Sequence, residues 1–207
     1  MNLLGQTALG IIILFLLGML VLVKRIATGD VFDTPRGNRL IRFVNIYNLF
    51  FLLVVNPLAA ILLLTRGLPK FDPTHLLIRN SGVLTIIEVV GLLTYVAGFV
   101  VMAWALVKLG MNYQLGGSAP RSKDQMVLDG PYRVIRHPMY GAALSISFGL
   151  SLLIQSLAFL LVFCIYLVLV LFLIRLEETR LLNAYGERYL AYQRSTRKLL
   201  LIPRAQK

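Results

Sequence analysis

The sequence predicts an all-α, polytopic membrane protein of about five transmembrane helices, the last two a tight hairpin, followed by a cytoplasmic amphipathic helix. Three observations predict it. Of 207 residues, 58% are hydrophobic and only 14% charged, with a mean hydropathy of +0.78, a composition that no water-soluble domain of this size carries on its surface. The apolar residues fall in runs close to the roughly 20 residues of helix that cross a hydrocarbon core. The cations are gathered in the segments between alternate runs.

The first run, Gln6 to Val23, is followed rather than preceded by positive charge: Met1 to Gln6 carries no Lys or Arg and Lys24-Arg25 comes after. That is the reverse of a cleavable signal, so this helix is expected to be retained. The second and third runs are about Phe43 to Leu64 and Val83 to Val107. Between them, Gly67-Leu68-Pro69-Lys70-Phe71-Asp72-Pro73 reads as turns that only connect. The fourth and fifth, Tyr140 to Ile154 and Leu157 to Leu173, are short and meet around Gln155-Ser156. Pro131 and Pro138 bias the residues before them away from helix, so helix four begins at or just after Pro138. Beyond the fifth run, Leu182, Tyr185, Tyr189 and Tyr192 recur at spacings of three and four, which predicts one face of a helix outside the membrane. The whole chain, 1–207, reads as one membrane domain, with a three-helix part over 1–107 and a second part over 108–207.

Orientation follows from the cations. Five lie in the first loop (Lys24, Arg25, Arg36, Arg39, Arg42), five in the third (Lys108, Arg121, Lys123, Arg133, Arg136) and eight after the fifth helix, from Arg175 to Lys207, against three (Arg66, Lys70, Arg79) in the second. The positive-inside rule places the amino terminus outside and the carboxyl terminus in the cytoplasm of an inner or plasma membrane. The net charge of +12 is thereby a topology signal with added attraction to anionic lipid, and nucleic-acid binding is not needed to explain it. Cys164 is the single cysteine, which leaves no disulfide framework or thiolate metal site. His75 and His137 fall on opposite sides, so no histidine metal centre is expected.

The richest segment is Gly130-Pro131-Tyr132-Arg133-Val134-Ile135-Arg136-His137-Pro138-Met139-Tyr140-Gly141, polar and aromatic residues set against the start of a membrane helix. Uncompensated polar groups at that depth cost several kcal/mol each, and a buried polar ligand would compensate them. A helix start is itself suited to an anion, because its first amides lack partners and carry the positive end of the dipole. The second constellation, Arg175-Leu176-Glu177-Glu178, is brought to the same end by the hairpin. Each part also has a plain structural reading: Arg175 snorkelling, the two glutamates solvated, the tyrosines packing or anchoring at the interface. Glu88, within helix three, is either a functional intramembrane carboxylate or a protonated or hydrogen-bonded packing residue.

Gly-Pro-Tyr-Arg-x-x-Arg-His-Pro-x-Tyr, the apolar hairpin, Glu-Glu-x-x-Leu-x-x-x-Tyr-Gly-x-x-Tyr-x-x-Tyr and the near-terminal Leu201-Ile202-Pro203 together resemble the isoprenylcysteine carboxyl methyltransferase family and its bacterial and archaeal relatives. Leu109-Gly110-Met111-Asn112-Tyr113 resembles that family's segment before the methyl-donor loop, so the resemblance spans Leu109 to Pro203. It implies an intramembrane methyltransferase using S-adenosylmethionine, acting on a lipophilic or membrane-embedded acceptor whose reacting group is a carboxylate, thiol or amine. By position, Gln125, Met126 and Val127 would line the donor through their backbone. Tyr132, His137, Pro138, Met139 and Tyr140 would surround its adenosine and methionine parts. Glu177 would hold its amino group, with Glu178 the neighbouring candidate.

The eukaryotic members carry an arginine, tied to catalysis and substrate, about one helical turn before the cofactor glutamate. Leu173 stands there in this chain, and Arg175 is the nearest alternative for that catalytic role. Two other classes stay open: an NADPH-dependent membrane reductase of the sterol and steroid reductase type, and a non-enzymatic transport or scaffold protein.

Overall fold

A computed structural model describes residues 5–32, 39–76, 78, 80–116 and 124–199. The near-terminal 201–203 segment and Arg36, Arg79, Arg121, Lys123, Arg204 and Lys207 lie outside them. Helix α1 spans Gln6–Thr28 and ends on Gly29, whose φ of 83° only glycine adopts readily. Helix α2, Arg39–Phe50, runs through a π-helical turn, Phe51–Val55, into α3, Asn56–Leu64. Pro57 explains the wider turn, since it has no N–H and its ring clashes with the carbonyl four residues back. Asn56, fully buried, repairs the defect by donating to the Phe51 carbonyl at 2.8 Å and accepting from the Tyr95 hydroxyl at 2.6 Å. A single turn, α4 (Leu68–Phe71), lies in the connection that the sequence reads as turns. Helix α5 spans Ser81–Leu109, its start capped by the Asn80 side chain, which accepts from the amides of Gly82 and Val83.

Helices α6, Pro138–Leu153, and α7, Leu157–Tyr185, form the expected hairpin. Among the described residues, four helical stretches, α1, α2 with α3, α5 and α7, are long and apolar enough to cross a membrane, and α6 is a shorter apolar helix. The 16 residues of α6 reach about 24 Å, less than the roughly 30 Å of a hydrocarbon core. Its amino end therefore sits inside the depth that α7 crosses. Helix α7 is longer than the apolar run predicts: it continues twelve residues past Leu173, through Arg175, Glu177 and Glu178, to Gly186 (φ 54°). That glycine breaks the expected single tyrosine-bearing helix, leaving Leu182 and Tyr185 on α7 and Tyr189 and Tyr192 on α8, Glu187–Ser195.

The tightest pairing is α5 against α6, an antiparallel seam of small residues. A Cβ on Gly98 would meet the Ala142 carbonyl at 2.9 Å, and one on Gly149 would meet the Gly91 carbonyl at 2.8 Å. Small residues allow such approach where lipid removes any hydrophobic drive between helices. One core cluster joins α1, α3, α5 and α6, and another joins α2, α6, α7 and Leu199. At one end, residues 72–76 clasp the α6–α7 turn: Leu76 N–H donates to the Gln155 carbonyl at 2.8 Å, and His75 Nδ1 lies 2.9 Å from the Ile154 carbonyl. At the other end, Lys24 sits 5.1 Å over the Tyr113 ring and Arg136 pairs with Glu178. The cation-rich first and third loops and the segment after the fifth run thus share one end of the bundle, and His137 lies there, away from His75.

Candidate functional site

A cavity of about 300 Å³ opens at the cation-rich end, between α1, α2, α5, α6, α7 and α8, at the lower edge of the roughly 300–1,000 Å³ usual for small-molecule sites. The segment 124–127 forms one wall. Gln125 N–H donates to the Asn112 Oδ1 at 3.2 Å, Gln114 donates to the Asp124 carboxylate, and the Tyr185 hydroxyl at the end of α7 donates to the Asp124 carbonyl at 3.4 Å. Gln125, Met126 and Val127 all line the cavity.

The turn Gly130–Arg133 and the start of α6 supply the floor. Tyr132, His137, Pro138, Met139 and Tyr140 line it. Tyr192 donates its hydroxyl to the Tyr132 carbonyl at 2.6 Å, tying α8 to this turn. Burial pushes the Tyr132 phenol up, with the charge of Glu177 adding to it, so it stays a protonated donor. Tyr140 donates to Glu177 Oε2 at 2.5 Å, and its ring stands 5.7 Å from the His137 ring. Gly116 presses against this tyrosine so closely that a Cβ would fall 2.1 Å from the hydroxyl, and Asn45 holds the Gly116 carbonyl at 3.0 Å.

The two glutamates have different places. Glu177 faces the cavity. Glu178 lies behind it, accepting from Arg136 Nε at 2.8 Å and Lys198 Nζ at 2.9 Å, with His137 Nε2 at 3.3 Å. Arg136 also donates to the carbonyls of Gln193 (3.1 Å) and Thr196 (2.6 Å). Through Arg136 N–H to the Arg197 carbonyl (2.8 Å) and Arg197 N–H to the Val134 carbonyl (3.3 Å), the segment after α8 around residues 197–198 is laid beside residues 134–137. Glu178 is thus the anchor of a buried ion cluster that fixes the His137 ring. Arg175 is exposed on α7, its guanidinium 5.8 Å from the Phe172 ring, and is not among the lining residues; Leu173 is fully buried in the second core. Glu88 is buried in α5, also away from the cavity. Arg136, Tyr185, Tyr189 and Tyr192 line the cavity without having been singled out as site residues. Their signal in the sequence was position: Arg136 lies inside the first motif and the tyrosines on the periodic stripe.

The cavity has two halves. Around Glu177 it is carboxylate, phenol and imidazole; toward α1, α2 and the π-helical turn it is mainly apolar, with Lys24, Asn45 and Asn48 its polar members, and reaches Leu20, Val21, Leu52 and the outward-exposed Phe32 and Leu53. A polar pocket is thus sunk into the end of a membrane bundle and is continuous with a mainly apolar cleft.

The phospholipid methyltransferase family model matches residues 86–188, from α5 to the start of α8. A solved structure of the eukaryotic intramembrane Ras methyltransferase, isoprenylcysteine carboxyl methyltransferase, shares the fold at 18% identity and a TM-score of 0.50, covering 98% of this chain and 88% of that one. No curated protein matches the sequence. Residues 86–188 are thus similar to the phospholipid methyltransferase family, and the fold is similar to that of the isoprenylcysteine carboxyl methyltransferase.

Proposed function

We propose that this chain is a membrane methyltransferase that uses S-adenosylmethionine, bound in the polar half of the cavity, to methylate a lipophilic acceptor admitted through the apolar half. The observation that carries this reading is Glu177, a carboxylate fixed by Tyr140 beside the start of α6 and surrounded by aromatic rings. The residues fit the donor's chemistry. A carboxylate matches its ammonium, helix-start amides match its carboxylate, and phenol faces accommodate both adenine and a sulfonium. Bound there, the donor supplies an electrophilic methyl group. The chain's own residues hold and orient: Glu177 fixes the amino-acid end, His137 and Tyr140 wall the centre, and the 124–127 segment covers the outer side. In such a transfer, alignment and exclusion of water are the main catalytic contributions.

The charges favour an amine or thiol acceptor over a carboxylate. Among the described lining residues the cations are Lys24 and Arg136. Arg136 is held by Glu178 and two carbonyls; Lys24 donates to the Asp30 carbonyl at 3.0 Å and lies over Tyr113. An anionic acceptor would therefore meet engaged cations and, at the 124–127 wall, the like charge of Asp124. The same census speaks against NADPH, whose extra phosphate needs a basic pocket of its own. Calorimetry of the purified chain is expected to give binding of S-adenosylhomocysteine and none of NADPH; the opposite pattern would overturn the proposal.

By the cation count, the cavity end faces the cytoplasm. A periplasmic reporter fused after Lys207 is expected to be silent, and its activity would reverse the orientation.

A further inference from the structure

We propose that Tyr189 is a further ligand-binding residue of this cavity, its hydroxyl contacting the amino-acid end of the methyl donor beside Glu177. This rests on the reading of the cavity as a donor site. Tyr189 is 1% exposed and lines the cavity, yet its hydroxyl has no hydrogen-bond partner among the described residues. Buried hydroxyls are nearly always satisfied, and an orphan one calls for an explanation. Its neighbour on α8 shows the contrast: the Tyr192 ring is 6.0 Å away, and its hydroxyl is engaged by the Tyr132 carbonyl. Gln6 and Gln155 also carry buried polar atoms without a partner, but neither lines the cavity.

The surroundings indicate which part of the ligand is met. Burial pushes the Tyr189 phenol up, and the charges of Glu178 and Glu177 add to this while Arg136 opposes it. The hydroxyl is therefore a neutral, protonated group within reach of the field of both glutamates. A phenol accepts one hydrogen bond and donates another. An α-amino acid carries an ammonium and a carboxylate on one carbon, so it satisfies both capacities at once. The turn at Gly186, with φ 54°, separates α8 from α7, and α8 carries this side chain to the cavity.

Tyr189→Phe removes the hydroxyl and nothing else. In the full chain, the variant is expected to bind S-adenosylhomocysteine about 10-fold more weakly by calorimetry, as for a hydrogen bond to a charged group. 5′-Methylthioadenosine, which lacks the amino-acid end, should bind both proteins equally. The unfolding temperature without ligand should stay level or rise, because an unsatisfied buried group is lost. Equal S-adenosylhomocysteine affinity in the two proteins would overturn the assignment, as would equal losses for both ligands. A lowered unfolding temperature without ligand would show an internal partner and overturn it too. A wild-type chain that binds neither ligand would bring down the reading of the cavity itself.

Discussion

Glu177→Gln lowers the affinity for S-adenosylhomocysteine by roughly 10- to 150-fold, the range for losing a hydrogen bond between charged groups worth about 1.5–3 kcal/mol, while the ligand-free protein keeps its unfolding temperature. Glutamine keeps the shape and still accepts from the Tyr140 hydroxyl, now at 2.5 Å from the carboxylate, so what goes is the charge that faces the donor's ammonium. The neighbouring substitution has the reverse profile. Glu178 holds Arg136 and Lys198 at 2.8 and 2.9 Å, and the Arg136 side chain is only 5% exposed. Breaking a buried pair from one side costs about 3–5 kcal/mol, which in a chain of this size lowers the unfolding temperature by roughly 6–20 °C. Arg175→Ala, changed outside the cavity, should leave donor affinity as it was. Calorimetry and thermal unfolding of the three variants check this together. Intact affinity in Glu177→Gln, or a stability loss there equal to that of Glu178→Gln, would mean that the two carboxylates have been assigned the wrong way round.

That distinction shows where sequence reading stopped. Adjacent helical residues point about 100° apart, and nothing in the run Arg175-Leu176-Glu177-Glu178 says which of them faces inward. The deciding partners lie far along the chain: Arg136 and His137 are more than forty positions before Glu178, and Lys198 is twenty after it. Local chemistry was more legible. The proline at 138 marks the start of α6 because it pre-sets the first turn, and the apolar runs mark the long helices because lipid leaves a chain no other way to satisfy its backbone. The extent of α7 was not legible, since a membrane helix that continues into water changes composition without ending. Its stop at Gly186 depends on a backbone angle rather than on polarity. The π-helical turn likewise needed Tyr95 on another helix to make Asn56 affordable at full burial.

The seam between α5 and α6 leads to the other large effect. Gly149→Ala places a methyl group 2.6 Å from the Tyr95 amide nitrogen and 2.8 Å from both the Tyr95 Cα and the Gly91 carbonyl. These are backbone atoms, so no side-chain rotation relieves the contact and the helices must move apart. Overpacking of this kind costs about 1–3 kcal/mol, or roughly 2–12 °C of unfolding temperature in a chain of this length; Gly149→Val should cost more and reduce the yield of monodisperse protein. Gly18, on the exposed face of α1 with nothing within 4 Å of a Cβ, provides the comparison: Gly18→Ala should be neutral or slightly stabilising, as alanine suits a helix better than glycine. Because α6 begins at the cavity floor, the displacement should also carry His137 and Tyr140 away from Glu177. Gly149→Ala is therefore expected to weaken S-adenosylhomocysteine binding in the protein that still folds, although the mutation lies at the far end of α6 from the ligand. An unchanged unfolding temperature in Gly149→Ala would show that the two helices do not meet as closely as the seam requires.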